Sequence, residues 1–181
     1  MLPSRGLGER TYLHTRFFEG GAAITTLVAL SVVGVDSAWK ISVVLFALAL
    51  VFVWARFRAR KGKEDAVHVG LATGWLAMLL CDDGFGGVGG TWVFYIPYSL
   101  QIRVMTRPGW PRWLWYSTIP VGLALANLTD WLPQLNRVVS SGNARWQIFV
   151  DFTGAFVWSF YVFRLIQTLH ERELARRGEP L

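Results

Sequence analysis

The stretch ISVVLFALALVFVWARFRARKGK, residues 41–63, runs fifteen residues without a charge and then places five cations in its last eight. An apolar run closed by a dense basic cluster is the pattern of a helix that crosses a bilayer and halts with its cationic end in the cytoplasm. Insertion retains Lys and Arg on that side. Five further apolar stretches flank this one, giving six spans at about 17–35, 38–57, 66–81, 87–105, 113–131 and 146–167. A spanning helix needs about 20 mostly apolar residues to cross a hydrocarbon core of roughly 30 Å.

The cations fall almost entirely in alternate gaps. The N-terminal segment holds Arg5, Arg10 and Arg16, and the second gap holds Arg56, Arg58, Arg60, Lys61 and Lys63. The fourth gap holds Arg103, Arg107 and Arg112, and the C-terminal segment holds Arg164, Arg172, Arg176 and Arg177. Fifteen of the 18 Lys and Arg residues therefore share one side, leaving Lys40, Arg137 and Arg145 for the other. The expected fold is all-α: a polytopic membrane protein with six transmembrane helices and both ends in the cytoplasm. It forms one domain over residues 1–181, closed by a cytoplasmic helical tail at 168–181. Tryptophan agrees with this order. Trp39, Trp92, Trp131 and Trp146 fall at the expected outer interface, and Trp54, Trp110, Trp113 and Trp115 at the inner one. An indole with one wet end favours such belts.

Composition excludes several classes. With 53% hydrophobic and 17% charged residues in 181, little chain remains for a soluble catalytic domain. The net charge of +6 sits in juxtamembrane loops, where anionic head groups explain it better than nucleic acid does. The single cysteine, Cys81, excludes an intramolecular disulfide and a CxxC redox pair, and reads as a small packing residue. A cleaved signal is disfavoured, because residues 35–38 make a poor small-x-small site. The bacterial inner membrane is the expected location.

Local motifs refine the spans. Gly70-Leu71-Ala72-Thr73-Gly74 is a GxxxG in the third span, and Gly86 and Gly90 repeat that spacing at the start of the fourth. Small residues at this spacing let another backbone approach closely. Pro97 and Pro120 fall mid-span and are expected to kink the fourth and fifth helices. From Trp146 to about Arg177 only Gly154 interrupts helix-forming residues, so the last helix should run on for about 48 Å. It does not become a coiled coil, since Arg172 and Arg176 occupy the positions that a seam begun by Val162, Leu165 and Leu169 would need.

Chemistry-bearing residues are few. Asp82, Asp83, Asp130 and Asp151 collect toward the outer side and form the candidate polar or ion site. Asp151 lies inside the last span, where a charge is costly unless it pairs or faces a polar interior; Arg145 is its nearest cation in sequence. The alternative is a set of solvated loop carboxylates. No EF-hand spacing is present. His14 and His68 fall near the inner surface beside Glu19, Glu64 and Asp65 without diagnostic metal spacing, so no metal is expected. His170 reads as an exposed helix residue. Tyr95, Tyr98, Ser99, Gln101, Asn127 and Thr129 add polarity near the two prolines. They are either a substrate site between broken helices or hydroxyls and amides that bind helices together. No nucleophile–base pair, phosphate loop or metalloprotease motif occurs.

The segment Gly89-Gly90-Thr91-Trp92-Val93-Phe94-Tyr95-Ile96-Pro97-Tyr98-Ser99-Leu100, together with a last span running into a charged helix, resembles six-helix modules. Such modules precede the output domains of bacterial sensor histidine kinases and cyclases. The sequence closes at Gly178-Glu179-Pro180-Leu181 without an output domain, so the resemblance implies architecture and carries over no functional residue. Two functions follow as expectations. One is a non-catalytic, sensor-like module or accessory subunit that packs against other membrane subunits or itself, including pigment or electron-transfer assemblies. The other is a small transporter or membrane enzyme using the outer aspartates and the kinked helices. No cofactor is specified by the residues.

Overall fold

The computed structural model describes residues 7–33, 39–84, 91–128 and 141–177. Among the described residues there are six α-helices and no strand: α1 Leu7–Val33, α2 Trp39–Arg60, α3 Asp65–Gly84, α4 Tyr95–Met105, α5 Trp110–Leu128 and α6 Ser141–Arg177. A 3-10 turn, Thr91–Phe94, leads into α4.

Consecutive helices alternate in direction. Ser42 of α2 donates to the Ala29 carbonyl of α1 at 2.8 Å, while Arg56 near the other end of α2 pairs with Glu19 of α1 at 2.7 Å. Phe52 of α2 meets Gly74 of α3, and Leu45 clusters with Cys81. Tyr161 of α6 donates to the Arg16 carbonyl of α1 at 2.8 Å. The starts of α1, α3 and α5 and the ends of α2, α4 and α6 therefore gather at one end of the bundle. Arg58 to Asp65 and Trp115 to His68 are contacts across that end. It is also the end at which the alternate basic gaps were expected to meet.

Packing follows one recurring device, an aromatic ring seated on a glycine of a neighbouring helix. Phe18 lies on Gly70, Trp158 and Tyr161 on Gly20, Phe52 on Gly21, and Tyr95 with Trp75 on Gly122. A Cβ at any of these four would press into the ring, so glycine serves as the hole for an aromatic knob. At Gly70 the three atoms nearest to where a Cβ would stand all belong to the Phe18 ring. Gly74 is roomier, with Phe52 and Tyr98 each 3.8 Å from where its Cβ would stand. The main core joins Leu13, Phe17 and Phe18 to Leu71, Tyr98, Ile102, Trp158 and Val162. A smaller cluster holds Ala29, Ile41, Leu45 and the buried Cys81.

Two turns need glycine for its backbone. Gly62 has φ +70° just past α2. There its N–H donates to the Ala59 carbonyl and the Lys63 N–H to that of Arg58, a Schellman closure. Gly109, at φ +135°, turns α4 into α5.

Helix limits differ from the apolar spans. α1 begins ten residues before the first span, because Leu13, Phe17 and Phe18 point into the core. The polar Arg16 and Glu19 bind each other on the opposite surface. α3 continues through Asp82 and Asp83, which close its last turn rather than opening a loop. α4 has only 11 residues, a rise of about 16 Å, so the span expected at 87–105 is not one continuous α-helix. Pro97 is correspondingly not mid-helix: it stands third in α4, in the first turn, where its missing N–H breaks no intrahelical bond. Pro120 does lie inside α5. α6 extends 37 residues, or about 55 Å, and begins five residues before the expected span. Among the described residues, only α2 is by itself long and apolar enough to cross a membrane, with mean hydropathy 2.0.

Candidate functional site

Side-chain hydroxyls inside the bundle are mostly spent on their own helices. Thr15, Thr26, Thr73 and Thr106 each donate to the carbonyl four residues back. Ser99 donates to the Ile96 carbonyl. Of the polar residues near the prolines, Tyr98 donates to the Leu71 carbonyl of α3 at 3.2 Å, and Tyr95 packs on Gly122. That arrangement joins helices; the side chains of Asn127 and Thr129 lie outside the described residues. Trp75 likewise ties α3 to α5 by donating to the Thr118 carbonyl at 2.9 Å.

Two cavities stand out among the described residues. One, of about 90 Å³, lies at the waist among Gly21, Phe52, Gly74, Tyr98 and Trp158, and its walls are mainly apolar. The other, of about 250 Å³, opens at the basic end. Its walls come from the first turns of α1, the α2–α3 turn and the segment from the end of α4 to the start of α5. Five cations line it, Arg10, Lys63, Arg103, Arg107 and Arg112, against one carboxylate, Glu64. His14 and His68 join them, and Ala59, Val67 and Met105 form an apolar floor.

Several of these groups are fixed in place. Arg112 donates through Nε to Thr106 Oγ1 at 3.2 Å and through Nη2 to the Thr106 carbonyl, holding the guanidinium against the end of α4. Thr106 itself is buried. Arg107 is bound to Glu64. Trp115 Nε1 donates to His68 Nδ1 at 2.9 Å, which places the His68 ring proton on Nε2. Pro108 and Pro111 stiffen the wall from which Arg107 and Arg112 extend.

Two other described carboxylates at this end, Glu19 and Asp65, are committed elsewhere. Glu19 pairs with Arg16, Arg56 and Arg60. The hydrogen bond from Arg58 holds the Asp65 carboxyl below its usual range. Arg16, hydrogen-bonded to Glu19, is held above its ordinary value. Arg10, Lys63 and Arg103 have no carboxylate partner among the described side chains.

The residues expected to carry chemistry are distributed differently. Asp82 and Asp83 end α3, and Asp151 stands ten residues into α6. The side chains of all three, like Asp130, Gly86 and Gly90 in full, lie outside the described residues. No group of three or more His, Cys, Asp or Glu able to hold a metal occurs among the described residues. His14 and His68 do converge, but in a cavity dominated by cations. Sequence reasoning treated each basic gap as an anchor and did not read them as one site. The signal was available: alternate gaps of an up-down bundle must meet at one end. Neither a protein-family model, nor a curated protein, nor a solved structure matches the chain.

Proposed function

We propose that this chain is an integral membrane module of six helices with both ends cytoplasmic, acting without catalysis as a sensor-like protein or accessory subunit in the bacterial inner membrane. The observation that carries the reading is the character of the bundle's exterior. Phe149, Phe152, Phe156, Phe160 and Phe163 recur at helical spacing along α6, and all are exposed, Phe156 by 73%. Leu27, Leu30, Val43 and Leu50 are exposed on α1 and α2. A soluble bundle would put charge on such faces, since contiguous apolar patches this extensive are rare on soluble monomers. Lipid tails would cover them without cost.

Two further features agree. Interior hydroxyls return to carbonyls of their own helix, as a medium without water demands. Trp54, Trp110 and Trp113 are exposed around the basic end, with the Arg58 guanidinium 5.1 Å from the Trp54 ring centre, an interfacial belt arrangement. Hydropathy alone understates α1, α5 and α6, because Trp, Tyr, Gly and the charged turns at helix ends dilute their apolar content. The 55 Å of α6 is enough to cross the hydrocarbon and project beyond it.

The test is fractionation of expressed full-length chain, with carbonate extraction and reporters fused separately to each terminus. Retention in the membrane with both reporters cytoplasmic is the expected result; release by carbonate, or termini on opposite sides, ends the proposal. The alternative, transport or membrane catalysis through Asp82, Asp83, Asp130 and Asp151, is separated by Asp151→Asn. A scaffold should keep its partners and lose only some stability, whereas a transporter should lose flux.

A further inference from the structure

We infer that the basic cavity is a binding site for a phosphate-bearing anion. The inference deepens the membrane reading and rests on it for one of its two ligand sources, since a phosphorylated lipid head group or a soluble phosphate ester would present the same chemistry.

The argument begins with charge. Five cations face one carboxylate, an excess of four positive charges within about 250 Å³. Holding like charges together costs free energy unless an anion or water screens them. Apart from Glu64, no described carboxylate lines the cavity. Glu19 and Asp65 are bound to arginines outside the cavity, and Glu64 is occupied by Arg107. The surplus therefore faces an open volume.

The donors also suit a tetrahedral oxyanion better than a planar one. One arginine fork can satisfy a carboxylate with two parallel bonds. Here cations project from three separate segments, the start of α1, the α2–α3 turn and the α4–α5 connection, so they surround the volume. A phosphate accepts hydrogen bonds on three or four oxygens from as many directions. Arg112, held by Thr106, is already oriented, which lowers the entropic cost of binding. The apolar floor of Ala59, Val67 and Met105 gives the non-phosphate part of a ligand a surface to rest on.

Position supplies the last element. Two of the cavity's lining residues, Pro111 and Arg112, are flanked in sequence by the exposed Trp110 and Trp113, residues suited to the depth where a bilayer would hold its head groups. Basic pockets between helices at that depth are suited to anionic head groups.

The experiment uses the full chain, purified in mild detergent and reconstituted in phosphatidylcholine nanodiscs with or without phosphatidic acid. Native mass spectrometry reads retained lipid. Calorimetry with inorganic pyrophosphate reads the soluble arm. The variant Lys63→Gln/Arg103→Gln removes two cavity cations that have no carboxylate partner among the described side chains. Lys61→Gln/Arg164→Gln removes the same charge from the same end outside the cavity. Retention of one phosphatidic acid that the cavity variant weakens at least about tenfold, with the outer variant unaffected, supports the site and identifies a lipid source. The same pattern with pyrophosphate alone supports it and identifies a soluble source. Equal weakening by both variants means diffuse surface charge, and absence of binding in both arms means no site; either overturns the inference. Carbonate extraction fails independently. A chain released from the membrane that still binds pyrophosphate through Lys63 and Arg103 keeps the site and loses the membrane reading. An integral chain that binds neither probe does the reverse.

Discussion

The waist of the bundle and its basic end use side chains in opposite ways. At the waist, rings fill glycine holes, hydroxyls return to nearby carbonyls, and only about 90 Å³ stays open. At the basic end, cations outnumber their partners around about 250 Å³. The waist has committed its groups to holding helices together; the end has kept groups in reserve. Where a small bundle leaves charge unspent, something outside the chain is expected to use it.

The largest effects should come from breaking the waist. Trp158 stacks on Tyr161 with ring centres 5.3 Å apart, meets Phe17 edge-on at 6.3 Å and covers Gly20. Trp158→Ala should cost about 3 kcal/mol, the low end of the soluble-core range, because lipid removes the water-transfer part and leaves the packing part. The readout is unfolding in mixed micelles. Anion binding at the far end, measured below the unfolding midpoint, should survive. Loss of both together would show that the two regions are one cooperative unit.

A sharper test splits the GxxxG motif. Gly70→Ala drives a methyl into the Phe18 ring, an overpacking worth roughly 1–3 kcal/mol. Gly74→Ala meets nothing nearer than 3.8 Å and borders the waist cavity. It should be neutral or slightly stabilising in the same assay. Equal losses would mean that both glycines admit a backbone, as the motif alone suggested.

How much of this was legible in the sequence follows from what each signal measures. The up-down order is readable because Lys and Arg recur in alternate gaps and apolar runs separate them. Helix limits are not, because hydropathy marks where a helix is apolar, not where it starts. Leu13 is buried while its neighbours Arg10 and Arg16 are polar, so α1 runs past its apolar edge. Pro97 looked mid-span because the residues from Gly87 to Phe94 are apolar enough to extend the stretch, yet α4 begins only at Tyr95. The basic cavity was the least legible. Arg10, Lys63 and Arg112 are far apart in the chain, and each reads locally as an anchor. Only the folded order brings them to one volume.

At the basic end, single changes should cost less than at the waist. Arg112→Ala removes two hydrogen bonds to Thr106, one to its hydroxyl and one to its carbonyl, just past the end of α4. Because the site is partly open to water, the expected loss is about 1 kcal/mol of stability. Anion affinity should fall more than that, since the oriented donor is also lost. If stability drops and affinity does not, Arg112 is a helix cap and the cavity's other cations carry binding.

The smallest effect separates exposed pairing from reserved charge at the same end. Asp65 is paired with Arg58 at the start of α3, and that hydrogen bond lowers its carboxyl pKa. A lowered carboxyl contributes stability that is fully present above its ordinary value of 3.8 and fades as pH falls through the lower folded value. Asp65→Asn should therefore lower the melting temperature only slightly at neutral pH, because water screens so exposed a pair. That small difference should vanish as pH falls through the lowered folded value of the Asp65 carboxyl, so the two melting curves converge in acid. Lys63→Gln, two residues away, should leave every one of those curves unchanged and still weaken phosphate binding. Adjacent charges would then be sorted by partner: Asp65 is already answered within the chain, and Lys63 awaits a ligand.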